Sequence, residues 1–182
     1  MRVKFVNNEV SVADERIVRV GREDVDALKA SARSTARFRS RLCAHKQSSD
    51  RLHEMIIVLG RPSYIRPHKH QAKSESFHVI EGELDVVIFD ETGLVTDVVE
   101  MGDYRSGRNF FYRLEDPLFH TLIIRTPEVV FHETTNGPFR REDTIFAPWS
   151  PEENDVVEVE RFMKVTASAV GQFVGCSNAQ AS

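Results

Sequence analysis

Two histidines stand two residues apart in the segment "SYIRPHKHQAKSESFHVIEG", and a glutamate follows five residues later. If this segment begins as a strand, alternate side chains project to one face, and these are Tyr64, Arg66, His68 and His70. Two imidazoles on one face can bind one cation at about 2.0–2.2 Å. The connection "QAKS" can bend the chain back so that Glu75 reaches the same ion. Two solvated histidines on an exposed strand are the alternative interpretation.

The wider spacing favours the metal site. HxH, four residues, Glu, six residues and Gly form the first motif of the cupin family, which "HKHQAKSESFHVIEG" matches in full. The family's second motif has a histidine on a strand after a proline-containing turn. "LEDPLFHTLII" resembles this motif although the usual glycine is missing, which places His120 at the ligand position.

The resemblance implies one divalent transition metal ion (Zn, Ni, Mn or Fe) with the ligands His68, His70, Glu75 and His120. Three imidazoles and one carboxylate leave one or two positions open on a five- or six-coordinate ion, as a catalytic metal requires.

A closer resemblance covers roughly residues 22–155. "PSYIRPHKH", "VVIFDETG", "GPF" and "FAPWSPEE" are similar to segments of the WbuC family of cupin metalloproteins, which is associated with O-antigen and other surface-polysaccharide biosynthesis. Two segments depart from our picture of that family. In that family an asparagine-rich segment precedes a histidine, whereas this chain has "RSRLCAH" there. The family also tends to have a lysine just before the Gly-Pro pair, and "FHETTNGPF" has none.

Polar residues near the motif are candidates for substrate contacts. Glu133 shares the parity of two apolar strand residues and is predicted, with Tyr64, to be catalytic. Arg66 could bind an anionic group because a guanidinium binds carboxylates and phosphates in a bidentate manner. His45 matches a histidine of the WbuC family, and with Arg39 it is predicted to line the barrel mouth.

The elements that must position these residues are mostly short strands. Residues 21–33 have acids at the start and apolar residues at helical spacing, so they predict a helix. From residue 51, β-like runs follow one another at about 8–12-residue intervals, separated by turns such as "DETG". The predicted fold class is mainly all-β, a cupin double-stranded β-helix or jelly-roll barrel with an N-terminal helical addition.

We expect three parts: an N-terminal strand and helix extension at 1–50 packed on the barrel, a cupin domain at 51–163, and a flexible tail at 164–182. Residues 34–50 are predicted to be a loop or an edge strand.

Composition restricts the function classes. The net charge is −4 and no Lys/Arg block stands out, which argues against nucleic acid as a partner. Two distant cysteines indicate reduced thiols. The first residues do not resemble a signal peptide, and no apolar run approaches membrane-spanning length. We therefore expect a soluble cytoplasmic protein, a homodimer as is common for cupins, whose partner is a small carbohydrate or anionic substrate.

Two function classes stay open from the sequence. In the first, the protein is an enzyme that isomerises or epimerises a sugar or nucleotide-sugar, with an iron-dependent dioxygenase as a rival. In the second, it is a non-catalytic module that binds a small molecule through its metal. The fold by itself does not choose between them.

Overall fold

Strands dominate the chain because apolar residues alternate with polar ones over most of its length. The computed structural model describes the backbone of residues 1–180 and the side chains of residues 1–176. The strands are β1 (Val3–Phe5), β2 (Val10–Ala13), β3 (Arg39–Cys43), β4 (Leu52–Gly60), β5 (His68–His70), β6 (Glu75–Glu81), β7 (Glu83–Phe89), β8 (Val95–Gly102), β9 (Phe111–Leu114), β10 (Phe119–Ile124), β11 (Glu128–Asn136) and β12 (Thr144–Phe146). The helices are α1 (Arg22–Ser34) and α2 (Val156–Gln180), and a 3-10 turn covers Arg141–Asp143.

The strands form two sheets. Sheet A has seven strands in the order β1-β2-β3-β4-β11-β6-β9, and sheet B has five in the order β12-β5-β10-β7-β8. All pairings are antiparallel except β2 with β3. Chain neighbours such as β4 and β5 lie in different sheets, which is the crossing pattern of a jelly roll. The predicted fold class, a mainly all-β jelly roll with an N-terminal helical addition, is confirmed.

Three apolar layers hold the sheets and helices together. The inner faces of both sheets enclose the main core, which includes Phe77, Leu84, Val86, Met101 and Phe131. A second cluster joins the outer face of sheet A to α1, and a third joins the outer face of sheet B to α2. Each sheet is therefore buried on two faces over part of its area, so its strands carry apolar runs as well as alternation.

Two expectations about the ends of the fold are wrong. Residues 34–50 contain β3, which is an internal strand between β2 and β4 rather than a loop or an edge. The tail predicted at 164–182 continues α2 up to Gln180, and Val170 on this helix is 1% exposed against sheet B. Residues 181 and 182 lie outside the described part. No helix among the described residues is long and apolar enough to cross a membrane.

Candidate metal centre

The histidines of the two motifs meet at the pairing of β5 with β10. His120 is in register with His68, and His70 lies two residues along β5 on the same face. The ring centroids are 4.5 Å apart for His68 and His120, 4.8 Å for His68 and His70, and 5.8 Å for His70 and His120. One ring nitrogen of each residue lies within 4.8 Å of the other two, so the three could hold one metal ion.

Each of these rings is oriented through its Nδ1 atom. The Nδ1 atoms of His68 and His120 lie 2.9 and 3.0 Å from the carbonyl oxygens of Arg66 and Leu118. A carbonyl only accepts hydrogen bonds, so Nδ1 carries the proton and the Nε2 lone pair is free for a metal. The Nδ1 atom of His70 lies 3.3 Å from the hydroxyl of Thr144 on β12.

Glu75 approaches the histidines from sheet A. Its carboxylate oxygens lie 3.4 Å from Nε2 of His70 and 3.0 Å from Nε2 of His120. Although they are so close, Oε1 of Glu75 and Nε2 of His120 are buried and have no aligned hydrogen-bond partner among the described residues. Two atoms bound about 2.1 Å from one ion at a right angle would be about 3.0 Å apart. The donor set therefore fits a metal ion better than it fits a direct hydrogen bond.

The pKa values in the cluster differ strongly between neighbours. Burial, followed by the charge of His120, lowers the pKa of His68 to about 3. Burial also disfavours the charged forms of Glu75 and His120, but the attraction between the carboxylate and the imidazole has the larger effect on both pKa values. The pKa of Glu75 is therefore held well below its usual range and that of His120 is raised. Without a metal, the site contains a neutral His68 beside Glu75 and His120, each of which favours the charged form of the other.

A divalent cation would compete with a proton for Nε2 of His120, because the cation stabilises the carboxylate and the neutral imidazole together. Three imidazole nitrogens and a carboxylate oxygen suit Zn, Ni, Mn or Fe, and the donor set does not select among them.

Glu133 on β11 faces the same interior. It is in register with Phe77 of β6, whereas Glu75 is in register with Thr135, so the two glutamates are diagonal neighbours on one sheet face. Such neighbours lie roughly 7–8 Å apart. Burial, followed by the negative charge of Glu75, raises the pKa of Glu133 to about 8. This carboxyl can exchange a proton near neutral pH.

The expectation that Tyr64 and Arg66 share a strand face with the histidines is wrong. Strand β5 begins only at His68, and Pro67 before it has no N–H to donate to a neighbouring strand. The hydroxyl of Tyr64 donates to the carbonyl of Pro151, and its ring packs edge-on against Phe162 of α2, behind sheet B.

The two arginines that were predicted to bind substrate are paired with acids of this chain. The guanidinium of Arg66 lies 2.7 Å from Glu152 and also donates to Ser150. Arg39 pairs with Glu9 and, at 2.9 Å, with Glu153. These contacts tie the loop before α2 to the rest of the fold, and a substrate anion would have to compete with them.

His45 lies at the same end of sheet A as Glu75. Its ring stacks on His53 with centroids 4.0 Å apart, and His53 is in register with Thr135, which is in turn in register with Glu75. The structure thus places His45 beside β4, two strands away from β6, which carries Glu75. Its position at the barrel mouth stays a prediction.

Two further polar residues were missed from the sequence. Tyr112 on β9 faces the core and has a buried hydroxyl without a hydrogen-bond partner among the described residues. Strand parity in "FFYRL" could have indicated it, because Tyr112 and Leu114 share a face. Arg41 on β3 is exposed and has no ion pair among the described side chains, and its charge acts to lower the pKa of Glu133.

Comparisons with known proteins give fold-level similarities. Residues 20–101, less than half of the chain, match the model of a family described as a domain of unknown function, DUF6016. The comparison with curated proteins gives no match.

One solved structure that resembles the chain is protein SO0799 from Shewanella oneidensis, with 10% sequence identity and a TM-score of 0.48 over 58% of this chain and 72% of that chain. Another is L-ribose isomerase from Cellulomonas parahominis, with 13% sequence identity and a TM-score of 0.48 over 61% of this chain and 70% of that chain. A third is the capsular polysaccharide assembling protein CapF from Staphylococcus aureus, with 17% sequence identity and a TM-score of 0.44. The match covers 54% of this chain and 27% of that chain, so this chain spans about a quarter of CapF.

Proposed function

We propose that this protein is a metal-dependent isomerase or epimerase of the WbuC type, which acts on a sugar or nucleotide-sugar in surface-polysaccharide biosynthesis. The observation that carries the proposal is the pairing of a convergent His68–His70–His120–Glu75 cluster with a second, half-buried carboxyl, Glu133, on the same face as Glu75. Isomerisation of a sugar needs a Lewis acid at a carbonyl and a proton carrier beside it.

In this proposal the metal cluster binds the substrate carbonyl, and Glu133 transfers the proton. A divalent ion held by the four ligands would polarise the substrate carbonyl and acidify the neighbouring C–H bond. Glu133 takes the proton from that carbon and returns it to the adjacent carbon or to the opposite face. Its raised pKa suits both steps, because a carboxyl that titrates near pH 8 is a stronger base than an ordinary glutamate.

The WbuC resemblance supports the substrate class. The "PHKH" segment supplies two of the proposed ligands, and the "GPF" segment follows β11, the strand that carries Glu133. In that segment, the carbonyl of Pro138 accepts a hydrogen bond from Lys73 of the β5–β6 connection. The "GPF" segment is therefore joined to the connection between His70 and Glu75.

Metal analysis tests the first part of the proposal. We expect about one equivalent of a divalent transition metal in the purified protein, and its loss in the double variant His68→Ala/His70→Ala. The matched control is His78→Ala/His132→Ala, because both of these histidines lie on sheet A with the opposite parity to Glu75 and Glu133. Unchanged metal content in the first variant would contradict the ligand assignment.

Proton exchange tests the second part. The metal-loaded protein is incubated in D2O with a panel of aldoses, ketoses and nucleotide-sugars, and exchange of the C–H bond next to the carbonyl is followed by NMR. We expect exchange that falls by about 10²- to 10⁴-fold in Glu133→Gln with metal retained. Iron with oxygen consumption and no exchange would favour the dioxygenase, and binding without either reaction would favour the non-catalytic module.

A further inference from the structure

The phenol of Tyr112 is a buried polar group with no partner in the described chain. The residue is 7% exposed, and its hydroxyl oxygen is inaccessible and makes no hydrogen bond to the described residues. Burying a hydroxyl without a partner costs about 1–3 kcal/mol. A phenylalanine would fill the same space without this cost. We therefore infer that the hydroxyl forms a hydrogen bond with a molecule that is not part of the chain.

The position of Tyr112 relates it to the metal cluster. On β9 it is in register with Phe77, while Leu114 is in register with Glu75, so Tyr112 is a diagonal neighbour of Glu75 on the inner face of sheet A. Glu133 is the corresponding diagonal neighbour on the other side, since it also is in register with Phe77. Tyr112 and Glu133 thus flank the Phe77 ring, whose centroid lies 5.5 Å from that of Tyr112.

The electrostatic surroundings make Tyr112 a hydrogen-bond donor. Burial, followed by the negative charge of Glu75, raises the pKa of its hydroxyl far above neutrality. A neutral phenol beside a carboxylate and a cation site can donate to an oxygen that carries partial negative charge. Such an oxygen is found in a carbonyl, a carboxylate or an enediolate.

We propose that the hydroxyl of Tyr112 donates a hydrogen bond to an oxygen of the substrate bound at the cluster, across Phe77 from Glu133. The substrate class that fits is a small molecule with two adjacent oxygens, such as an α-hydroxy carbonyl compound, of which one oxygen faces the metal site and the other faces Tyr112. This inference rests on the proposed function, because it assumes a ligand at that site. It assigns Tyr112 the role of positioning the substrate.

Acetohydroxamate is a suitable probe because its two adjacent oxygens match those of an enediolate. Its binding to the zinc-loaded full-length protein is measured by calorimetry, with metal content determined before and after. We expect Tyr112→Phe to weaken binding by about tenfold or more, as for the loss of a hydrogen bond to a charged group. The control is Tyr104→Phe, whose ring is 79% exposed and whose binding should equal that of the wild type.

Stability separates a ligand-binding hydroxyl from a structural one. We expect the thermal midpoint of Tyr112→Phe to equal or exceed that of the wild type, because an unpartnered hydroxyl is removed. Tyrosine difference absorbance gives a second measurement, since a perturbation on probe binding should be lost in Tyr112→Phe and kept in Tyr104→Phe.

The failures of the two proposals are distinguishable. Wild-type affinity in Tyr112→Phe would overturn the role of Tyr112 and leave the proposed function standing. A lowered midpoint together with metal loss in Tyr112→Phe would also overturn it, because the hydroxyl would then be structural. If the metal-loaded wild type itself does not bind the probe, the metal site does not accept a pair of adjacent oxygens, and both proposals fail.

Discussion

Two carboxyl groups on one sheet face acquire opposite properties from their neighbours. Glu75 has His120 and His70 within 3.4 Å, and its pKa is lowered despite complete burial. Glu133 has no such partner among the described residues, so burial, followed by the charge of Glu75, raises its pKa to about 8. Pairs of carboxyls whose environments separate their pKa values are typical of sites that need one fixed charge and one mobile proton.

The raised pKa of Glu133 predicts a pH-dependent stability of the metal-free protein. In the folded state Glu133 keeps its proton up to about pH 8, whereas the unfolded chain loses it near pH 4.5. The native state therefore binds more protons in this window, and stability falls as pH rises through it. We expect Glu133→Gln to raise the free energy of unfolding at pH 8.5 by on the order of 1–3 kcal/mol, with little effect at pH 4.5.

Urea unfolding of the metal-free protein at both pH values measures this difference. The control is Glu142→Gln, an exposed residue of the turn before β12. An equal effect of Glu133→Gln at both pH values would show that the carboxyl does not titrate differently in the folded state.

Protons and metal should compete at His120. Because Glu75 raises the pKa of His120 against the opposing effect of burial, a proton competes with a metal ion for Nε2 up to a higher pH than on an ordinary histidine. We expect the affinity for zinc to fall from pH 8 to pH 6, by about tenfold for each pH unit and each proton displaced. Competition with a chromophoric chelator measures it, and a constant affinity across this range, after correction for the chelator, would contradict the model.

At the scale of secondary-structure elements, one of the three shortest strands carries two of the proposed ligands. Strand β5 has only three residues, and it is held on one side by β10 and on the other by β12. Both neighbours contribute to the site, β10 with His120 and β12 with the hydroxyl of Thr144. Propensity does not select β5, because "HKH" has no β-branched residue; pairing on both sides defines it.

The turn between β6 and β7 depends on the motif glycine. Gly82 has φ +84°, and a Cβ atom there would lie 2.4 Å from the carbonyl oxygen of Glu128. We expect Gly82→Ala to destabilise the protein by about 2–4 kcal/mol, from left-handed strain and the clash together. Gly107→Ala is the matched control, because Gly107 has φ +78° and open space around its Cα, so only the strain of about 1–2 kcal/mol should appear.

Chemical denaturation of both variants measures the two costs. Equal destabilisation of Gly82→Ala and Gly107→Ala would show that the neighbouring strand β11 moves away at no cost. The motif glycine would then be required only for its φ angle.

At the scale of the whole molecule, the two helices turn a two-sheet sandwich into a four-layered structure. Helix α1 covers the outer face of sheet A and α2 covers that of sheet B. The outer face of sheet B carries Val87, Phe89, Phe119 and Ile123, which would be exposed without α2. The C-terminal segment is therefore part of the structure that supports β10 and its histidine from behind.

Two valines on α2 test this role. Val170 is 1% exposed in the cluster with sheet B, whereas Val165 is 64% exposed. We expect Val170→Ala to lower the free energy of unfolding by about 2 kcal/mol, and Val165→Ala to be neutral or slightly stabilising, because alanine has the higher helix propensity. Equal effects in thermal and urea unfolding would contradict the packing of α2 on sheet B.

Local periodicity determined much of this protein. Helical spacing of apolar residues defined α1. The alternation of polar and apolar residues defined the strands from β4 to β11 apart from β5 and the inward direction of Glu133, because these properties depend on short-range geometry. Motif spacing grouped His68, His70, Glu75 and His120, which the structure brings together from both sheets.

Only the tertiary structure decided the remaining features, because they depend on partners distant in the chain. The strand character of β3 and β12 comes from pairing, and α2 is stabilised by an apolar sheet face. Arg39, Arg66 and Tyr64 make contacts with residues 9 and 150–162 that strand parity does not reveal. The opposite pKa shifts of Glu75 and Glu133 likewise arise from desolvation and charges that meet only when the two sheets close.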